Sequence, residues 1–266
     1  MSYQTLQIQL SPGLAIIWMN RPELRNAMND TMIAELTEAF EVAIEDDEIR
    51  AIVLAGTGAA FCAGADLNWM KAARGMSPQA AFEDSRKLAT LLRTIHDSPK
   101  PVIARVHGPA FAGGIGLIAA CDIAVGSLDA EFCISEVKLG LIPSIISPYV
   151  LARIGPAQAR RWFLTAQVFG AGEAWRIGLL NEVCPGEQLD DTVNMLLGGI
   201  IQAAPNALRE AKRLILDVTG QPIDEALADE TTRRITELRS SPEGQEGIAA
   251  FFEKRKPAWQ SNPGSA

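Results

Sequence analysis

The sequence predicts an α/β fold with mostly parallel strand pairing and a helical extension at its C-terminal end. Three features carry this. Short apolar runs alternate with segments of helical apolar spacing up to about residue 204. Two glycine-rich stretches each join an apolar run to a helical segment. After Pro205 the apolar runs stop and only helical spacing continues. The expected division is a core over 1–204 and a helical region over 205–266.

The elements follow in chain order. Ala15 to Met19 (AIIWM) reads as a buried strand. Asn29 and Asp30 suit a helix N-terminus, and Met32, Ile33, Leu36, Phe40 and Ala43 give the spacing of a helix over Thr31 to Ile44. Ala51 to Ala55 (AIVLA) is a strand, followed by a loop and a helix from about Asp66. Ala80 to Ile95 reads as a helix and Pro101 to Val106 as a strand. A helix follows from about Gly114 to Ala120, then short strands at Ile123 to Val125 and Glu131 to Ile134. Pro156 to Thr165 and Ala171 to Ile177 read as helices. Beyond Pro205 three more are expected: Asn206 to Val218, Ile223 to Arg239 and Pro242 to Lys254. Ser261 to Ala266, rich in Gly, Ser and Pro, is expected to fray.

Composition narrows the partners. With 48% hydrophobic and 21% charged residues, the 266-residue chain has the make-up of an ordinary globular protein. A formal charge of −8 argues against nucleic acid or an anionic membrane as partner, since both need a broad basic surface. A local basic cluster remains at Lys254, Arg255 and Lys256. The N-terminal residues lack the basic-then-apolar pattern of a signal peptide, and no apolar run reaches membrane-spanning length. Cys62, Cys121, Cys133 and Cys184 show no metal-ligand spacing, and only His96 and His107 are available as imidazoles. Reduced thiols in a cytoplasm, with no metal, are the expectation.

The first glycine-rich stretch, Thr57 to Leu67, ends in Ala63-Gly64-Ala65-Asp66. Asp66 suits an N-cap, and the small residues before it let a ligand approach the backbone. Such a turn can aim N–H groups at a developing oxyanion; a plain strand-to-helix turn would use the same composition. The second stretch, His107 to Gly116, opens an apolar helix (Leu117, Ile118, Ala119, Ala120). A buried helix start leaves N–H groups in need of an acceptor. Gly114 to Ala119 also fits a degenerate dinucleotide fingerprint. That motif wants an acidic residue at the end of the next strand, and Glu136 follows the second strand instead.

Glu136 stands just past the apolar segment Phe132-Cys133-Ile134. Apolar neighbours raise a carboxyl pKa, as a general base or acid near neutrality needs. A surface glutamate at a strand end fits the local sequence equally well.

The segments together resemble the enoyl-CoA hydratase/isomerase (crotonase) family. The matching pieces are Asn20-Arg21-Pro22 with Asn26-Ala27, Ala63 to Leu67, Lys100 to Ala104 with Gly113-Gly114, and Cys121 to Ala124. Phe132 to Glu136, Leu139 to Pro143 and Phe252 to Arg255 complete the set in family order. The resemblance implies a spiral of ββα units with a helical C-terminal trimerisation region, as a homotrimer or dimer of trimers. It implies an acyl-CoA substrate, with coenzyme A belonging to the substrate and no separate cofactor. By position, the oxyanion hole would be the N–H groups of Ala65 and Gly113, with Glu136 as the catalytic carboxylate. Ala63, Gly64, Ala65, Asp66 and Leu67 would line the adenine site. Arg25 falls where a group near the CoA phosphates is common, and Phe251 and Lys254 match residues that reach the nucleotide, often from a neighbouring subunit. For Arg255 and Lys256 a solvated helix end is the alternative.

Two departures narrow the activity. Family hydratases carry a further glutamate three residues after the oxyanion glycine, and here that position is Gly116. After Pro143 the sequence runs Ser144-Ile145-Ile146-Ser147-Pro148-Tyr149 in place of a glycine-rich stretch. With Ala65 to Met70 and Ser135 to Val137, this looks like a bacterial branch of methylglutaconyl-CoA and isohexenylglutaconyl-CoA hydratases. The resemblance therefore implies hydration of a branched glutaconyl-type ester. Lys71, Arg74 and Arg153 are the candidate partners for its second carboxylate. An isomerase using the single glutamate and a non-catalytic acyl-CoA binder are the alternatives.

Overall fold

The computed structural model describes residues 3–261. Its first half runs β1 (Leu6–Ser11), β2 (Gly13–Met19), α1 (Asp30–Glu45), β3 (Ile49–Gly56), α2 (Leu67–Ala72), α3 (Pro78–His96), β4 (Val102–Val106), β5 (Ala110–Phe111) and α4 (Gly113–Ala120). The chain continues through β6 (Ile123–Ser127), β7 (Glu131–Cys133), α5 (Ser147–Thr165), β8 (Phe169–Gly170), α6 (Ala171–Arg176), β9 (Glu182–Cys184) and α7 (Leu189–Gln202). Four helices close it: α8 (Pro205–Val218), α9 (Glu225–Ser240), α10 (Pro242–Glu253) and α11 (Ala258–Ser261). Beyond Ser261 the tail expected to fray lies outside the described residues.

The main sheet has the order β1-β2-β3-β4-β6-β9. Only β1 runs antiparallel to its neighbour; β2, β3, β4, β6 and β9 pair in parallel. Both faces of its centre are covered, which is why AIVLA reads as continuous apolar sequence rather than alternation. Ile52 and Leu54 of β3 join the core beneath α1, α3 and α4, whereas Ala51 and Val53 pack with Leu189, Val193 and Leu197 of α7. A second sheet of three short strands, β5-β7-β8, sits at the C-terminal end of β4.

Several elements go beyond the sequence expectations. β1 was not among them. It is an edge strand whose alternation (Leu6, Ile8, Leu10) finds little core: Leu10 is 64% exposed. α7 was also missed, because Gly198-Gly199 interrupts a pattern that Leu189, Val193 and Leu197 otherwise carry. β5, β8 and β9 have two or three residues each, too few for a period to show. α5 begins nine residues before Pro156, at Ser147, and bends at Gly155 (φ 71°). Of the helices in the described residues, none is long and apolar enough to cross a membrane.

Candidate active site

The two glycine-rich turns leave the C-terminal ends of the adjacent parallel strands β3 and β4, so the sheet itself brings them together. A fully buried Asn26 holds the first turn. Its Oδ1 accepts from the Arg21 N–H (2.9 Å), and its Nδ2 donates to Thr57 O (2.8 Å) and Ala60 O (2.9 Å). Asn26→Ala orphans all three partners, one fully buried and two partly buried, so it is expected to lower unfolding stability by about 2–4 kcal/mol in a denaturant titration. A loss below about 0.5 kcal/mol would show that the clamp is dispensable.

Met28 then fixes the direction of Ala65. The Met28 N–H donates to Gly64 O (2.7 Å) and the Asp66 N–H donates to Met28 O (2.8 Å). In such a parallel bridge the residue between the two bonded groups turns its own N–H to the opposite side. Accordingly the Ala65 N–H has no acceptor among the described residues. Asp66 anchors the far end. Its carboxylate caps α2 through the Asn68 N–H (2.7 Å) and pairs with Arg21 Nη2 (2.8 Å). Burial alone would raise this carboxyl, but the Arg21 hydrogen bond, the capping N–H groups and the Arg21 charge hold it below the usual carboxylate range.

The second turn is tied to the first across a glycine. Gly64 has φ +93°, and a Cβ there would lie 3.1 Å from Phe111 O and 3.3 Å from the Ala112 methyl. The Phe111 N–H donates to Cys62 O (2.9 Å), and the Ala112 N–H reaches Cys133 O (2.9 Å) on β7. Gly113 is the first residue of α4, a helix buried from Gly114 to Ala120. Its N–H is one of the orphan donors of a helix start and has no acceptor among the described residues.

Ala65, Gly113 and Glu136 line one cavity of about 310 Å³. Glu136 begins a 3-10 turn after β7, the strand that also receives Ala112. Burial pushes its carboxyl pKa up, partly offset by the nearby N–H groups of Glu136 and Ser135. Its Oε2 is buried without a hydrogen-bond partner among the described residues. Among the described residues lining the cavity Glu136 is the sole ionisable group; most of the rest are apolar, Trp69, Leu88, Leu141 and Ile146 among them. Cys62, beneath the first turn, is fully buried, and burial pushes its thiol up to about 12, which removes it as a nucleophile.

Of the residues singled out in the sequence, Ala63, Ala65, Leu67, Gly113 and Glu136 meet at the cavity. Gly64 and Asp66 stand behind it, one as the close approach and one as cap and ion pair. Arg25 is exposed beside the first turn, its carbonyl accepting the Ala63 N–H (2.9 Å). Phe251 (79% exposed) and Lys254, at the end of α10, do not line the cavity of their own chain. Arg255 is engaged by Glu246 (2.6 Å) and Glu253 (2.6 Å). Nor do Lys71, Arg74 or Arg153 line the cavity. Arg153 is instead a structural strut, donating to Leu179 O (2.9 Å), Cys121 O (2.7 Å) and Asn181 Oδ1 (2.6 Å). Sequence reasoning missed Met28, Leu88 and Ile145, which line the cavity from three separate segments. Leu88 has the helical spacing of a core position in α3, and Met28 and Ile145 lie in irregular segments without a period, so nothing local marks any of the three as a cavity wall.

Two free N–H donors and one desolvated carboxylate on an apolar cavity define a site for a carbonyl compound whose oxygen gains negative charge. The family model for enoyl-CoA hydratase/isomerase matches residues 9–262, and the chain belongs to that family. A solved enoyl-CoA hydratase from Shewanella pealeana superposes with a TM-score of 0.94 at 37% identity, over 96% of each chain. A crotonyl-CoA hydratase of Syntrophomonas wolfei is 32% identical over 258 residues, 96% of this chain and 98% of its own. A short-chain-enoyl-CoA hydratase of Clostridium acetobutylicum is 34% identical over 249 residues, 91% and 92% of the two chains.

Proposed function

We propose that the protein is an enoyl-CoA hydratase in which Ala65, Gly113 and Glu136 do the chemistry. The observation that carries this is one cavity bounded by both free N–H positions and by a carboxylate whose pKa burial raises. The thioester oxygen accepts from the two N–H groups. Ionised Glu136 takes a proton from water as the water oxygen bonds to the β-carbon. The C=C electrons move onto the thioester as an enolate, and one such preorganised donor is worth about 3–4 kcal/mol to that oxyanion. Protonated Glu136 then returns its proton to the α-carbon, so one water is added across the double bond.

The finer substrate reading, a branched glutaconyl-type acyl group, is supported by the segments at 65–70, 135–137 and 142–149. Its second carboxylate would meet no cation on the cavity wall, only the neutral groups of Ser135, Ser144 and Trp69. An uncharged enoyl chain suits that wall better, because an unpaired carboxylate in apolar surroundings is strongly disfavoured. A second reading, double-bond isomerisation, draws on the lone carboxylate: one group suffices to carry a proton from the γ- to the α-carbon. For coenzyme A we propose contacts with the Ala63 to Leu67 turn and Arg25, and with Phe251 and Lys254 of a neighbouring copy. The exposed side chains of Ile215, Ile223, Phe251 and Phe252 on the C-terminal helices and their connections support assembly as a homotrimer or dimer of trimers.

Incubation with a panel of enoyl-CoA esters in isotopically labelled water, methylglutaconyl-CoA included, decides between these readings. Hydration gives a product one water heavier that carries the labelled oxygen. A shifted double bond without that oxygen establishes isomerisation. Binding with no turnover anywhere would overturn both.

A further inference from the structure

Ala112 links β5 to α4 with φ 47° and ψ −116°. Arg25, Ala166 and Lys254 also have positive φ, but their ψ values of 37°, 34° and 37° place them in the ordinary left-handed well. Ala112 lies outside it, in a region that glycine enters freely and an L-residue enters under strain. Glycine is present at 113, 114 and 116, yet the strained position holds a residue with a Cβ.

The surroundings hold Ala112 on three sides. Its N–H donates to Cys133 O (2.9 Å), and its carbonyl accepts from the N–H groups of Ile115 (2.9 Å) and Gly116 (3.4 Å). Its methyl rests against Gly64, where a Cβ would come within 3.3 Å of it. The peptide that follows Ala112 carries the Gly113 N–H, so ψ of Ala112 sets where that donor points. Ala112 also lines the cavity with Ala65, Gly113 and Glu136.

We infer that Ala112 is a positioning residue: its held, strained backbone aims the Gly113 N–H at the thioester oxygen, and its methyl sets the spacing to the Ala65 turn. This rests on the reading of those two N–H groups as an enolate-binding pair, though not on hydration as the outcome. Strain at one residue then serves preorganisation of the donor next to it.

The test titrates bound acetoacetyl-CoA, a β-ketoacyl ester whose enolate absorbs in the near ultraviolet, on the wild type, Ala112→Gly and Ala112→Ser. Butyryl-CoA affinity serves as a control that forms no enolate at these pH values. The wild type should lower the apparent pKa of the bound ester relative to the free one. Ala112→Gly should give back about one unit, a tenfold loss of preference for the enolate. Its butyryl-CoA affinity should stay within about twofold and its melting temperature should hold or rise, since glycine relaxes the backbone. Ala112→Ser keeps the Cβ and should restore the wild-type pKa. An unchanged enolate pKa in Ala112→Gly, or an equal loss of butyryl-CoA binding, overturns the inference. A wild type that leaves the enolate pKa unmoved overturns it together with the oxyanion pair. Failure to add water to any ester, with the enolate still stabilised, would sink the hydratase reading and leave this one standing.

Discussion

Glu136→Gln is expected to lower kcat by about a thousandfold on every enoyl-CoA ester the wild type accepts, within the span usual for a lost general acid–base group. Affinity for a saturated acyl-CoA should hold, because glutamine keeps the shape and removes only the proton exchange. Since Glu136 is the sole ionisable group among the described residues lining the cavity, no neighbour there can substitute for it. Activity within about tenfold of the wild type would reject the assignment. The pH dependence follows from the same burial. Water activation needs the carboxylate form, so kcat/KM should fall on the acid side with a limb above the ordinary carboxylate range. Stability moves the other way. A carboxyl raised in the folded state binds more protons there than when unfolded, in the window between the ordinary carboxylate pKa and the raised one. Folding therefore loses stability as pH rises through that window, and Glu136→Gln should melt higher than the wild type at neutral pH. A lower melting temperature would show that the carboxylate has a stabilising partner after all.

The parts of the fold that sequence revealed are those where one physical rule acts alone. Asn29 was placed as a cap, and its side chain accepts from the Met32 N–H (2.9 Å). Met32, Ile33, Leu36 and Phe40 were placed on one face of α1, and all four are fully buried. The turns at 57–67 and 107–116 were visible because small residues cluster between a strand and a helix. Their direction was not visible. Which N–H faces the cavity depends on Met28 bridging Ala65 and on Cys133 holding Ala112, and those partners lie 37 and 21 residues away along the chain. Glu136 gave a similarly divided signal: its apolar approach was legible, but whether it faced a cavity was a matter of tertiary packing. Arg153 shows the opposite error. A cation with no acidic residue nearby in the sequence looks available for a ligand, whereas three acceptors in the turns after α4, after α6 and before β9 claim it.

Gly116→Glu is expected to cost the protein its fold margin and to bring no second carboxylate into play. Position 116 lies one turn into α4, where every residue from Gly114 to Ala120 is buried. A Cβ there runs into Ile146 Cγ2, and it would also come within 3.0 Å of Ile146 Cβ and 3.4 Å of Leu92 Cδ1. Ile146, itself 2% exposed, sits in the Ser144 to Tyr149 stretch that replaces the expected glycines. Glycine at 116 and isoleucine at 146 are thus two sides of one packing arrangement: the isoleucine fills the space a side chain at 116 would need. Overpacking by several heavy atoms costs about 1–3 kcal/mol, and an unpaired buried carboxylate adds to it. A total above about 3 kcal/mol corresponds to a fall in melting temperature of roughly 10 °C for a chain of this size. Ile146→Ala alone should also destabilise, by about 2–5 kcal/mol through the cavity it leaves. Combined, the two substitutions should cost at least about 1 kcal/mol less than their sum, because the cavity of one accommodates the excess of the other. Strict additivity, or a Gly116→Glu protein that melts like the wild type, would show that Ile146 does not occupy that space in solution.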